Sequence, residues 1–555
     1  MEPLDGKQGQ RYLRIQFANA DNPLTIIENF QKENNVKVSE EFRCCVPLLD
    51  LLGVPRLELH RSLIDALRKR LTEEVEKSNP EKLQQLLAVT FPSIHIKSIR
   101  PVCIEIMKRL PSLPQNYLTL LEDNQDLLQI LPIEVRRQVW QNNLKLFALE
   151  INPLIDTYLR STEDFMFSLN FDKQQHFFNK APRKRRQNEV LQKIVELIGR
   201  SVKLYNTTLQ ILRTLYFRNA IEHYCTLRLE ILMKLHDNDV REILSLDPCY
   251  KFVWCLDACL RDGLVDSKRC NELIALMEEA TKESGKQILG DFAIILADPF
   301  VIHALTGTIF RSIQLLYDQE LLPRDVPLLH SLLRLLSLGL NASQMIHRQD
   351  FAEIDIDNVI VLRFIPTIML LIHSLKNNGV CPPNIDLDFF SSYIHENPIA
   401  RRIACELILH LCNKHNLSDL SLLLPKVAPA FRTPDISDNI FLHLFIYQLV
   451  ISFLEEHGND EFYQTVFEEF FLQCENVDCT KHMLRLLWFN YRRMASSNVS
   501  IILDYVISKG LDDKFTKDVC RSMMKSLEAD KLRAKFSERR YSHGPTSTLM
   551  DDEFE

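Results

Sequence analysis

Glycine supplies only 13 of the 555 residues of this chain, about 2% where ~7% is usual. Tight primed hairpin turns and left-handed backbone positions call on glycine, so a chain this poor in it has few places to reverse a β-strand. Leucine and isoleucine dominate the apolar residues, with long straight-chain polar residues between them, a mixture that favours helix. An all-α fold follows. The chain also exceeds the ~250–300 residues at which a single core stops growing, so it forms two or three domains or one elongated array.

Helical periodicity recurs after about residue 20. Asp247-Pro248 reads as a helix start, with Phe252, Cys255, Leu256, Cys259 and Leu260 on one face and Gly263 as the stop. Trp254 is expected to pack beside the Phe252 and Leu256 face, where truncation to alanine would remove ~3–5 kcal/mol. Asp266 then starts a second helix running toward Gly285, with Leu273, Leu276 and Met277 inward. Asp325-Val326-Pro327 opens another, carrying Leu328, Leu329, Leu332, Leu335 and Leu336 to Gly339. Units of this form recur every few tens of residues, as in HEAT or armadillo repeats that have drifted, and the expected architecture is an irregular HEAT/armadillo-like helical solenoid. Breaks are expected at 161–183, at 376–388 and after Asp530. They divide the chain into a flexible N-terminus (1–20), an N-terminal helical region (21–160), a central helical-repeat region with a basic segment (183–375), a C-terminal helical-repeat region (388–530) and a mobile acidic tail (531–555).

No secretory signal is visible at the N-terminus. The 14 cysteines have no framework spacing, so free thiols in a cytosolic or nuclear chain are expected. The most apolar run, 440–454, is about 15 residues long, includes His443 and Gln448, and falls short of the ~20 residues of a membrane span. It reads as a core helix. Neither a glycine-rich phosphate loop nor a nucleophile elbow is present. His395-Glu396 is followed by Pro398 rather than by a zinc-binding helix. Cys249, Cys255 and Cys259, like His410, Cys412 and His415, read as ordinary packing residues rather than metal ligands. Asp355 and Asp357 read as solvated loop charges. No enzyme activity, metal or cofactor is expected.

Charge is distributed unevenly. Residues 183–234 hold eleven Lys/Arg and four Glu, a local +7 in a chain of net −8. Arg200, Lys203, Gln210 and Arg213 form one stripe, opposite Tyr205, Leu209, Leu212 and Tyr216. Arg183, Lys184, Arg185 and Arg186, together with Arg200, Lys203 and Arg213, are the candidate contacts to nucleic acid or an acidic partner. The run Arg183-Lys184-Arg185-Arg186 is also a nuclear-import candidate. Solvated charge is the plainer alternative for all of them. Residues 454–480 show the reverse: eight acids, no Lys or Arg, and Phe462, Phe467, Phe470 and Phe471 between them. Those rings are core residues or the anchors of a site for a basic amphipathic peptide.

Longer strings carry more specific information. They include Asp247-Pro248-Cys249-Tyr250-Lys251-Phe252-Val253-Trp254-Cys255-Leu256-Asp257-Ala258-Cys259, Val265-Asp266-Ser267-Lys268-Arg269, Val202-Lys203-Leu204-Tyr205 and His223-Tyr224-Cys225-Thr226-Leu227-Arg228. With Arg136-Arg137-Gln138-Val139-Trp140-Gln141 and Leu322-Pro323-Arg324-Asp325, they resemble the B-subunit family of the negative elongation factor complex over about residues 23–487. The resemblance implies a helical-repeat scaffold in a four-subunit nuclear complex that binds RNA polymerase II and holds it in promoter-proximal pausing. It further implies that this subunit joins the RNA-binding E subunit to the A and C (or D) pair, and that basic surfaces touch nascent RNA. The stretch 376–398 and the end after Asp530 do not resemble the family, and no family property is carried onto either. A helical-repeat RNA-binding protein, or an adaptor for another nuclear process, is the alternative that composition and periodicity leave open.

Overall fold

The computed structural model describes residues 56–170, 186–283, 287–376, 385–414, 417–431, 438–455, 460–474, 476–508 and 514–542, with single positions at 15, 16, 29 and 32. Every regular element among them is helical: α-helices, short 3-10 turns and one π turn at Ile360–Phe364. No single helix among the described residues is long and apolar enough to cross a membrane. The chain divides into two compact units, 1–149 and 150–555. The regions set apart by sequence as 183–375 and 388–530 therefore fall in one unit.

Local capping explains many of the helix starts. In the first unit, Asn79 accepts from the Lys82 amide at 3.0 Å ahead of helix Pro80–Thr90. Asn124 does the same for Leu127 ahead of Gln125–Ile130. The pattern is a side-chain oxygen on a free amide, with proline tolerated at the first helical position where no donor is needed. These helices close over Leu87, Cys103, Ile106, Leu121, Val135 and Val139.

In the second unit, helix Tyr250–Asp262 ends at Gly263 with φ +61°, a left-handed position that glycine adopts without a Cβ penalty. The helix starts later than Asp247-Pro248 suggested. Asp247 Oδ1 accepts from the Cys249 amide at 2.7 Å, and its other oxygen is drawn inward to the Tyr205 hydroxyl, so Asp247 holds a turn before the helix begins. Asp325 does not cap either: it closes the 3-10 turn Pro323–Asp325, and helix Pro327–Leu340 starts after Val326 with no side-chain cap. Gly339 lies inside that helix. A Cβ there would stand 2.6 Å from the Leu296 carbonyl oxygen, so close backbone approach to helix Gln287–Leu296 requires glycine. The last helix, Lys514–Ser542, runs through Asp530 where a break was expected. Residues 531–542 contain no glycine or proline to stop it.

Helices in the C-terminal part pack in two rows. Leu387–Glu396, Leu417–Val427 and Asp460–Glu469 pack successively on one another. Pro398–Asn413, Asp438–Glu455, Val477–Asn490 and Lys514–Ser542 do likewise. Asp438–Glu455, the apolar run expected in the core, buries Phe441, Phe445, Ile446 and Leu449.

A polar seam crosses the second row. Arg485 is fully buried and donates to His482 Nδ1 at 2.7 Å, so His482 is neutral there and its Nε2 faces Asn439 Oδ1 at 3.3 Å. His443 Nδ1 donates to the Met166 carbonyl at 2.9 Å. Asn439 also donates to Asp478, which pairs with Lys481. Lys481 in turn reaches Glu163 and lies over the Phe167 ring. Burial and the Arg485 charge hold both histidines well below the usual imidazole range, and burial pushes Arg485 down to about 9.

The unfolded chain protonates these histidines near the usual ~6.5 while the folded chain does not. More protons bind to the unfolded state, so stability is lost as pH falls through that value. His303 has the opposite sign: Glu406, 2.9 Å away, raises it, so its contribution is present in acid and lost as pH rises through the raised value. The melting temperature of the His443→Gln/His482→Gln variant is expected to fall less than that of the parent between about pH 7.5 and pH 5.5. Equal falls would show that the pair does not titrate on unfolding.

Candidate interaction surface

Among the described residues the cations of the basic segment are split between the interior and the surface. Arg183, Lys184 and Arg185 lie outside the described residues. Arg186 is 3% exposed and sits inside an acidic pocket made by helices His223–Asp237 and Tyr250–Asp262. Its guanidinium pairs with Asp257, stands 3.2 Å from Asp237 and 3.4 Å from Glu230, and Arg261 meets Asp257 from the same helix at 3.3 Å. As a contact to nucleic acid, or as the fourth cation of an import signal, Arg186 is corrected: its charge is spent inside the protein. Arg228 is also internal, 3.8 Å from Asp247 and 3.5 Å from the Tyr205 hydroxyl.

Helix Val202–Asn219 carries the stripe. Ser201 caps it by accepting from the Leu204 amide. Tyr205, Leu212 and Tyr216 are buried as the apolar face requires, while Leu209 is half-buried. On the opposite side Lys203 is exposed, Arg200 pairs with Glu242 at 3.2 Å, and Arg213 pairs with Asp291. The stripe therefore exists, and its Arg200 and Arg213 are opposed by acids. Asp237, Glu242, Asp247, Asp257 and Asp291 lie beyond residue 234, so a charge count along 183–234 misses all five. Lys193, Arg200, Lys203 and Arg218 are exposed.

The acidic stretch resolves toward core. Phe467, Phe470 and Phe471 are buried, with Phe470 edge-on to Phe431, Phe445 and Phe471 at centroid distances of 5.5, 5.2 and 5.0 Å. The Phe462 side chain lies outside the described residues. Cys249, Cys255, Cys259 and Cys412 are buried free thiols, as their packing role requires. His410 lies near the Phe310 ring and Gln314, and His415 is outside the described residues. Asp357 is more than a solvated charge, since it accepts from the Val359 amide and the Tyr393 hydroxyl.

Trp254 is where the sequence reading failed. It is 49% exposed, while Phe252 and Leu256 on either side are buried and Phe252 stacks on Phe292 at 4.1 Å. Residues two apart on a helix point about 200° away from each other, so Trp254 could not share their face. That periodicity was the available signal.

The family model described as Cofactor of BRCA1 (COBRA1) matches residues 97–429. Negative elongation factor B of Mus musculus is 37% identical over 540 residues, 93% of this chain and 92% of that protein. The protein of the same name from Drosophila melanogaster is 36% identical over 527 residues, 89% of this chain and 87% of that one. The chain belongs to the negative elongation factor B family. Family membership assigns it to transcription regulation. The family model's span includes the Arg186 pocket, the Val202–Asn219 stripe and Trp254.

Removing Arg186 leaves Glu230 and Asp257 buried without their shared cation. Arg186→Ala is expected to destabilise the fold by ~3–5 kcal/mol, as breaking a buried ion pair does, measured by chemical denaturation. A loss below ~0.5 kcal/mol would place Arg186 on the surface.

Proposed function

We propose that this negative elongation factor B family member is a non-catalytic scaffold subunit of a nuclear complex that binds RNA polymerase II and holds it in promoter-proximal pausing. In that complex it bridges the RNA-binding E subunit to the A and C (or D) subunits. The observation that carries this reading is the near end-to-end match to proteins named negative elongation factor B. The all-helical fold and the two rows of successively packed helices in the C-terminal part support the reading, since a HEAT/armadillo-like array stacks helices in this way and offers long surfaces to several partners. The test is acute depletion of the endogenous protein, re-expression of this chain and mapping of nascent transcripts. Promoter-proximal polymerase density is expected to fall on depletion and to return with the chain. Density indifferent to both would sink the proposal.

Direct contact with nascent RNA is the second part of the reading. It rests on exposed Lys203 in the stripe, with Arg200 and Arg213 beside it; Arg183, Lys184 and Arg185 belong to the proposal from sequence and lie outside the described residues. Arg200→Glu with Lys203→Glu should leave the fold intact, weaken binding of single-stranded RNA, and flatten its salt dependence by about one unit per lost phosphate contact. Unchanged affinity and slope would make the stripe a solvated face.

A further inference from the structure

The segment 238–249, which includes the short helix Arg241–Leu244, and helices Tyr250–Asp262, Ser267–Glu283 and Gln287–Leu296 enclose an open cavity of about 690 Å³. Its apolar lining is Leu244, Leu276, Ala280, Ile288 and Phe292. A cavity of this size is within the range that holds a ligand or several inserted side chains. Tyr250 and Lys251 line it as well, and Trp254 follows them by four and three residues on the same helix, one turn beyond the rim. Leu246, between the lining residues Ser245 and Asp247, is 65% exposed. An exposed tryptophan next to an apolar pocket is the anatomy of an interface hot spot.

The charges at the mouth identify the class of occupant. Arg241 is matched by Asp239 at 2.9 Å. Lys251 and Glu279 are exposed, stand on neighbouring helices, and have no ion-pair partner among the described residues. One free cation offset by one free anion gives no net attraction for a polyanion, and an apolar floor gives phosphates nothing to bind. An amphipathic helix satisfies both features, with apolar residues at i, i+3 or i+4 entering the cavity, an acid meeting Lys251 and a base meeting Glu279.

We propose that Trp254 and this cavity form a docking site for an amphipathic helix of a partner protein with that pattern. The inference names one docking surface for the scaffold and rests on that reading. The test places p-benzoylphenylalanine at position 254 of the full chain in cells, irradiates, and sequences whatever is linked. The expected result is a polypeptide segment with helical apolar spacing flanked by an acid and a base. Linkage should fall about tenfold in Lys251→Glu or Glu279→Lys and recover when the matching charge of the linked segment is reversed. In a pull-down against the identified segment, Trp254→Ala should weaken binding by about thirtyfold, with the melting temperature unchanged. Linkage to RNA, no linkage, or linkage indifferent to both charge reversals overturns the docking site. If position 254 stays silent while the other elongation-factor subunits still co-purify with the chain, the docking site alone fails. If position 254 links as expected and those subunits do not co-purify, the scaffold reading fails instead.

Discussion

Helix His223–Asp237 carries two charges into the interior of the second unit, and the surrounding elements are placed to answer them. Helices Glu189–Ile198, Val202–Asn219, Tyr250–Asp262, Gln287–Leu296 and Pro299–Asp318 all pack on it. Arg228 finds Asp247 and the Tyr205 hydroxyl, Glu230 finds Arg186, and Thr226 donates to Asp298 at 2.7 Å. An ion left alone at such depth costs several kcal/mol, so each neighbour must arrive with its polar group in register. Asp298 shows the same constraint acting on a connection. It is fully buried and accepts from both Thr226 and the Phe300 amide, which fixes the 78° bend between Gln287–Leu296 and Pro299–Asp318. Apolar surface supplies most of the driving force for folding, but it is indifferent to register. The buried charges are not.

This explains which parts of the fold were legible in the sequence. Helix content followed from glycine scarcity and periodicity. Stops such as Gly263 followed from local backbone chemistry, because a cap is decided within four residues. Asp247 was misread as a cap for the helix itself because its second oxygen answers Arg228 and Tyr205, groups 19 and 42 residues away. No local rule carries that information. Asp325 was misread for a simpler reason: Pro323–Asp325 makes a 3-10 turn of its own and uses the aspartate before the α-helix begins.

The candidate site was legible only in part, and the reason is again distance along the chain. A window of residues 183–234 is rich in Lys and Arg, but a folded chain neutralises charge in space. Arg186, Arg200, Arg213 and Arg228 meet Asp257, Glu242, Asp291 and Asp247, each from another element. Trp254 is the converse case. Its sequence context of Phe252, Val253, Cys255 and Leu256 suggested core, and the angular period of the helix places it outward nonetheless.

The redistribution of charge also constrains how the protein associates. Electrostatic steering of a polyanion needs a coherent field over a surface, and among the described residues four of the segment's cations, Arg186, Arg200, Arg213 and Arg228, are internal or paired with acids. The net charge of −8 opposes such steering further at ranges beyond ~8 Å only weakly, because salt screens it. Association that must be selective without a strong field rests on desolvated apolar anchors and a few matched charges at their rim, which set orientation and exclude wrong partners. Around the cavity lined by Leu244, Leu276, Ile288 and Phe292 the surface has that character: an open apolar floor, an aromatic ring one helical turn away, and the exposed charges of Lys251 and Glu279 at the mouth.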